Sequence, residues 1–386
     1  MFKLEIIDCL EKFSHLREEW DNLLDNSSAD NIFLTWEWQF NWWKAFSGGK
    51  KLHIILARNE TGELMGIAPL YIARKKIINL IPYNELKFIG TGNETTSEYL
   101  DFICYKGNEE DVLIALLKLS SNGLATAHIL FLSDMLEDSQ SKNHILGYIN
   151  KNGFSYLIKE ERPFCPTIKP SSNWEAYVQG LPKFMRRNLR SSVRKLEQSF
   201  KVEVAKFDDI RNANGAFEHF QRLYADRRNQ KNEKNKYISE SYKNFQENTM
   251  KSLSEKKWLY LCFLSLNNVM VAAQYCFRYK DKLYFYQNGA DNNYAKLNVS
   301  QNLIGYIVKE AHENGITECD LLRGEEWYKM RWANGLRKKI RVIISSGSYR
   351  GNLYISLLKL KYGLILLLKH IIPAGLRNYI EKKLYS

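Results

Sequence analysis

The stretch Glu318–Trp332, ECDLLRGEEWYKMRW, concentrates residue types that can move protons or hold anions. Its start reads as a short strand carrying Asp320, and the strand's exit carries Arg323, Gly324, Glu325, Tyr328 and Lys329. Charged and aromatic side chains packed at a strand exit suit a ligand-binding cleft. Upstream, KLYFYQNGA reads as a strand ending in Gln287, Asn288 and Gly289. A polar loop follows, then a helix whose N-cap candidate is Ser300, with Gln301 next. Free N–H groups and the dipole at such a helix start favour an anion, phosphate above all. An ordinary polar strand end accounts for any one of these residues alone; their convergence suggests a site.

A basic segment precedes them. In LPKFMRRNLRSSVRKLEQSF, helical spacing puts Lys183, Arg187, Arg190 and Arg194 on one face and Leu189, Val193, Leu196 and Phe200 on a separate apolar stripe. One face then docks on a core while the other presents guanidinium forks matched to phosphate or carboxylate. A solvated basic face is the plain alternative. The charge of the chain is local in the same way. Residues 171–240 hold 15 Lys/Arg against nine Asp/Glu, and residues 351–386 hold six against one, which together make up most of the net +13.

Other chemistries are not written here. The seven histidines form no HExxH or other ligand spacing, so no metal is expected, and there is no GxSxG, Walker A or GxGxxG pattern. Six scattered cysteines lack a CxxC pair, and Cys262 and Cys276 lie in apolar runs as reduced, buried thiols. The N-terminus has no signal-peptide core, and no run reaches the roughly 18 apolar residues of a membrane span. A cytoplasmic protein is the expectation.

The elements that must position the cleft recur twice. The first half reads as helices (Trp38 and Trp42 on a core stripe, Thr35 as N-cap), a hairpin around Asn59–Gly62, a strand, a helix over 110–120 and a strand. The second half repeats this order: helices over 183–200 and 213–228, a polar loop over 229–243, a hairpin turning at Asn267-Asn268, a strand, a helix and a strand. The fold class expected is α+β (mixed α/β), with tandem domains at 1–165 and 166–350 joined where Pro163, Pro166 and Pro170 cluster. Residues 351–386, with lysines set among Leu and Ile, read as a basic amphipathic helical tail. That composition suits peripheral contact with an anionic membrane at its inner face, a solvated C-terminal helix being the alternative.

The run YQNGADNNYAKLNVSQNLIGYIVKEAHENGITECDLLRGEEWYKMRW resembles tandem-GNAT acyltransferases of the cellulose-biosynthesis CelD type, relatives of the FemAB aminoacyltransferases. Tyr294, Asp320, Arg323, Gly324, Tyr328, Lys329 and Trp332 carry the match, as do Arg186, Arg187, Asn188, Arg190 and Lys195 in the Arg-rich helix. Relatives often have Ser-Pro-Gly where this chain has Val299-Ser300-Gln301.

The resemblance implies two GNAT-like domains and an acetyl-CoA or other acyl-CoA donor. An acyl group would pass directly to an amine on a small molecule, sugar or cell-envelope polysaccharide precursor. It assigns Asp320 as general base, Tyr328 as the proton donor to the thiolate, and Gln287, Asn288, Gly289, Ser300, Gln301 and Asn302 to the donor. Arg187, Arg190, Arg194, Arg323, Glu325 and Lys329 fall to anionic substrate. Two alternatives stay open: an aminoacyl-tRNA donor with a peptidoglycan-precursor acceptor, and a non-catalytic polyanion-binding module.

Overall fold

The computed structural model describes residues 2–92, 95–122, 127–171, 173–209 and 215–371. The first half contains β1 (Lys3–Ile7), α1 (Leu10–Ser14), α2 (Arg17–Asp25), α3 (Trp36–Phe46), β2 (Lys50–Leu52), β3 (Ile54–Arg58), β4 (Leu64–Ala68), β5 (Leu70–Ile77) and β6 (Ile81–Phe88). It continues with β7 (Ile103–Cys104), α4 (Glu109–Asn122), β8 (Ile129–Leu136), α5 (Gln140–Asn152) and β9 (Tyr156–Ile168). The second half opens with α6 (Trp174–Gly180), α7 (Lys183–Ser199), β10 (Val202–Phe207), α8 (Ala216–Gln230), α9 (Glu240–Glu255), β11 (Leu259–Leu266), β12 (Val269–Tyr279) and β13 (Lys282–Ala290). It ends with α10 (Val299–Glu313), β14 (Glu318–Asp320), α11 (Trp327–Trp332), β15 (Gly335–Ser345) and α12 (Tyr349–Ile371).

The mixed α/β class and the repeated order are both present. β5, β6, α4, β8 and β9 correspond to β12, β13, α10, β14 and β15. In each unit an antiparallel hairpin leads to a short parallel pair, β6 with β8 and β13 with β14. The units are not separate sheets, however. One 11-stranded sheet runs β10-β11-β12-β13-β14-β9-β15-β8-β6-β5-β2, beside a four-stranded sheet β1-β3-β4-β7. The last strand of each unit is exchanged: β9 pairs with β14, and β15 lies between β8 and β9. Residues 156–168, expected to lead into a proline-rich linker, are therefore a central strand, and a cut at 165/166 falls inside it.

Local expectations hold where chemistry dictates them. Asn267 and Asn268 take φ of 49° and 66°, the two left-handed positions of a type I′ turn. Thr35 caps α3, and Trp38 and Trp42 are buried in the first core. Cys9 is exposed while Cys104, Cys165, Cys262, Cys276 and Cys319 are buried free thiols. The polar segment 229–243 differs from expectation. Asn229 and Gln230 end α8 and only 231–235 are loop; Lys236–Ile238 form a 3-10 turn and α9 begins at Glu240, burying Tyr237, Tyr242 and Phe245.

Candidate functional site

β13 and β14 pair in parallel over three positions only, Lys282–Glu318, Leu283–Cys319 and Tyr284–Asp320. Beyond them β13 continues to Ala290 beside β12, while the chain after Asp320 turns towards β9, where Leu321 N–H bonds Pro166 O. The divergence opens a cavity of about 170 Å³. β13 lines it with Phe285, Tyr286, Gln287 and Asn288; the opposite wall supplies Leu321, Leu322, Arg323, Glu326, Tyr328 and Lys329. Tyr224, Arg228, Lys236, Tyr242 and Gln274 close it from the second unit, and Thr96 and Glu98 reach in from the first.

The same opening in the first unit is filled. β6 and β8 pair only over Glu85–Lys87, but the segment after Thr95 enters the gap, with Leu100 N–H donating to Asp134 O at 3.0 Å. A methyl on Gly90 would stand 2.9 Å from Ser97 Oγ, and Trp38 Nε1 holds that hydroxyl at 2.9 Å. The segment that plugs one notch delivers Thr96 and Glu98 to the other.

Polar side chains in the open notch are held in fixed poses. Tyr237 donates to Gln287 Oε1 at 2.9 Å, Gln287 Nε2 reaches Tyr242, and Gln274 Nε2 donates to Gln287 O at 2.8 Å. Tyr286 donates to Thr95 O at 2.6 Å and accepts from Gln246 Nε2 at 3.1 Å. Burial pushes the Tyr242 and Tyr286 hydroxyls well above their usual range, so both stay protonated donors. Tyr328 is half-buried, its hydroxyl 3.4 Å from Asn288 Nδ2. Lys329 Nζ donates to Arg323 O at 2.7 Å and pairs with Glu326 at 3.5 Å.

Of the residues expected in the site, Gln287, Asn288, Arg323, Tyr328 and Lys329 line this notch. Asp320 does not. It is 0% exposed; Tyr99 donates to its Oδ2 at 2.7 Å, Arg337 Nη1 stands 3.1 Å away, and Leu322 N–H donates to Oδ1 at 2.8 Å. A carboxylate sealed and saturated in this way cannot meet an amine, so the general-base assignment is corrected. Asp320 instead fixes the turn in which Leu322 takes φ of 53°, from which Arg323, Tyr328 and Lys329 follow. Burial, opposed by Arg337 and Tyr99, raises its pKa to about 6.

Arg323 is likewise committed. It pairs with Glu98 at 2.8 Å and with Asp134, and Lys339 from β15 joins the same two carboxylates. This buried cluster stitches the two units together, so Arg323 forms the wall of the notch rather than a free substrate ligand. Gly289 is a packing position, because a methyl there would lie 2.6 Å from Leu223 C and Tyr224 N of α8. Glu325 is exposed, 3.8 Å from Arg162, and lies outside the lining. Arg187, Arg190 and Arg194 stand exposed on α7, Arg190 paired with Glu175 at 3.1 Å.

The start of α10 also differs in detail. The helix begins at Val299 after Asn298 with φ of 53°, so Ser300 is its second residue and not its cap. Asn302 is buried and bonds Ser192 Oγ at 2.8 Å, and Gln301 accepts from Trp332 Nε1 at 2.9 Å. Arg227 of α8 reaches Ser300 Oγ at 3.4 Å, placing a guanidinium at the helix start. Among the described residues no group of His, Cys, Asp and Glu could hold a metal. Thr96, Glu98, Tyr224, Arg228, Lys236, Tyr242, Gln274 and Tyr286 had not been expected in the site.

Residues 183–330 match the family model described as an acetyltransferase (GNAT) domain. No curated protein matches the chain. Among solved structures it resembles FemX, with a TM-score of 0.58 at 14% identity over 83% of this chain and 95% of that one. A conserved protein of unknown function from Bacteroides thetaiotaomicron gives 0.54 at 11% identity, over 89% of this chain and 100% of the other. L-PGS from Bacillus licheniformis gives 0.50 at 9%, over 88% and 95%. Residues 183–330 thus carry the match to an acetyltransferase (GNAT) domain, and the fold of the chain is GNAT/FemX-like.

Proposed function

We propose that the β13/β14 notch binds an acyl-CoA donor and that the acyl group passes directly to an amine of a small molecule or sugar, such as a cell-envelope precursor. The observation that carries this reading is the three-residue parallel pairing that opens into a cavity lined by Gln287, Asn288, Tyr328 and Lys329. A thioester needs no covalent enzyme intermediate; both substrates must be held at reacting distance and a proton moved each way. The residues fit the donor: the first-turn amides of α10 and Arg227 form an electropositive seat for its diphosphate. Asn288 Nδ2 orients the donor carbonyl, Tyr328 protonates the departing thiolate, and Glu326 at the mouth accepts the amine's proton, the task Asp320 cannot perform.

Calorimetry of the purified chain with acetyl-CoA tests the donor. Saturable binding is expected, with a rise in melting temperature in excess ligand, about 2.7 kcal/mol at a hundredfold over Kd. Tyr328→Phe should retain binding and slow transfer by about 10²-fold. Absence of acyl-CoA binding, or unchanged turnover in Tyr328→Phe, refutes the reading. A second reading, an aminoacyl-tRNA donor, is favoured by the exposed row Lys183, Arg187, Arg190 and Arg194 on α7, alongside α10. Steeply salt-dependent tRNA binding that is lost when the row is neutralised would support it. Polyanion binding without transfer from either donor would leave the non-catalytic module.

A further inference from the structure

α12 is apolar on two opposite faces. At about 100° per residue, Ile355, Leu358, Tyr362 and Ile365 point one way. The first three pack on the protein body: Ile355 is 1% exposed beside Leu358 in the small core formed with Tyr83, Ile129 and Ile343, and Tyr362 meets Lys159. Tyr349, Leu360, Leu364 and Leu367 fall within roughly 60° of one another on the opposite side, while Leu353 packs back against the small core. Tyr349, Leu360, Leu364 and Leu367 are 81%, 61%, 51% and 62% exposed. Lys359 and Lys361, both exposed, flank this outer stripe, and residues 349–371 contain no Asp or Glu. The amphipathic helix expected from the sequence is therefore apolar outward as well as inward.

We infer that the outer face of α12 is a docking surface for an anionic lipid bilayer. Such a leucine stripe sinks into the boundary between headgroups and acyl chains while flanking lysines meet anionic headgroups. Charge selects this occupant over a second copy of the chain, because apposed α12 helices would bring like-charged lysines together with no carboxylate between them. Among the described residues no helix is long and apolar enough to cross a membrane, so the contact is parallel to the surface. The β5–β6 hairpin tip lies beside the start of α12 through Arg350 and Pro82 O at 3.0 Å. It too exposes Ile78 and Leu80, next to Lys75 and Lys76. This inference is independent of the transfer chemistry in the notch.

The test is co-sedimentation of the full chain with phosphatidylcholine vesicles, with and without phosphatidylglycerol. Binding is expected to require phosphatidylglycerol and to weaken with salt. It should fall at least tenfold for Leu360→Gln/Leu364→Gln/Leu367→Gln, and by roughly fivefold per lysine for Lys359→Glu/Lys361→Glu. These side chains project outward, so melting temperatures should match the parent. The inference is overturned by absence of binding to anionic vesicles, by equal binding to phosphatidylcholine alone, or by undiminished binding of the leucine variant. It is also overturned if light scattering finds a dimer that the leucine variant dissociates, which would make the face a contact between copies.

Discussion

Replacing Lys339 with Met should be among the most damaging single changes away from the notch lining. Its ammonium is 1% exposed and serves Glu98, also 1% exposed, together with Asp134. Removing it leaves two carboxylates facing the single guanidinium of Arg323, at a cost of about 3–5 kcal/mol for an uncompensated buried charge. Because the two units share one sheet, a single melting transition is expected, and at about 2.1 cal/mol/K of unfolding entropy per residue over a chain of 386 residues the total is roughly 0.8 kcal/mol/K. The melting temperature should therefore drop by about 4–6 °C. Scanning calorimetry reads this directly. The double variant Glu98→Gln/Lys339→Met restores charge balance and should recover at least about 1.5 kcal/mol relative to additivity.

The pH dependence supplies a second check. Burial alone would raise the Asp134 carboxyl, but Lys339 and Arg323 hold it below its ordinary value. A depressed carboxylate stabilises the fold above its unfolded value and loses that contribution as pH falls through the folded one. The Lys339→Met penalty should accordingly be largest near neutrality and shrink below about pH 4. A change under about 1 °C, or strictly additive variants, would refute the reasoning.

Asp320→Asn should destabilise the fold by about 1–3 kcal/mol and leave the shape of any activity–pH profile unchanged, as measured by melting and by turnover across pH. Because Asp320 and Asp101 are both raised to about 6, chiefly by burial, they favour the fold most below their unfolded values. That contribution is lost as pH rises through about 6. Asp320→Asn should flatten the stability slope between about pH 4 and 6. Gly289→Ala forces α8 away from β13 and should cost about 1–3 kcal/mol by denaturant titration. Gly147→Ala, in α5 with nothing within 4 Å, should instead stabilise by up to about 1 kcal/mol.

The notch itself was legible because its parts are contiguous: a strand, a crossover helix and a strand exit lie within residues 282–332, and the residue types announce a cleft. Asp320 misled because composition cannot reveal that Tyr99, over 200 residues upstream, and Arg337 already satisfy its carboxylate. Thr96 and Glu98 were invisible for the same reason, arriving from the other unit. α9 was missed although Tyr242, Phe245, Thr249 and Leu253 stand at helical spacing; the polar run before it masked the pattern. Strand exchange leaves no local signature, since β9 and β15 look alike whichever neighbour they join.

That exchange sets the order in which the molecule can be assembled. β8 leaves the ribosome with one edge unpaired and β9 with both, because its neighbours β14 and β15 come later in the chain, the second of them ending about 180 residues after β9. At about 5–20 residues per second this amounts to roughly 9–35 s with three bare strand edges. The nascent first half is thus an incomplete template waiting for its final piece. Splitting the gene between the halves would yield two fragments, each missing its neighbour's closing strand, and co-expression of both would be needed to recover a folded protein.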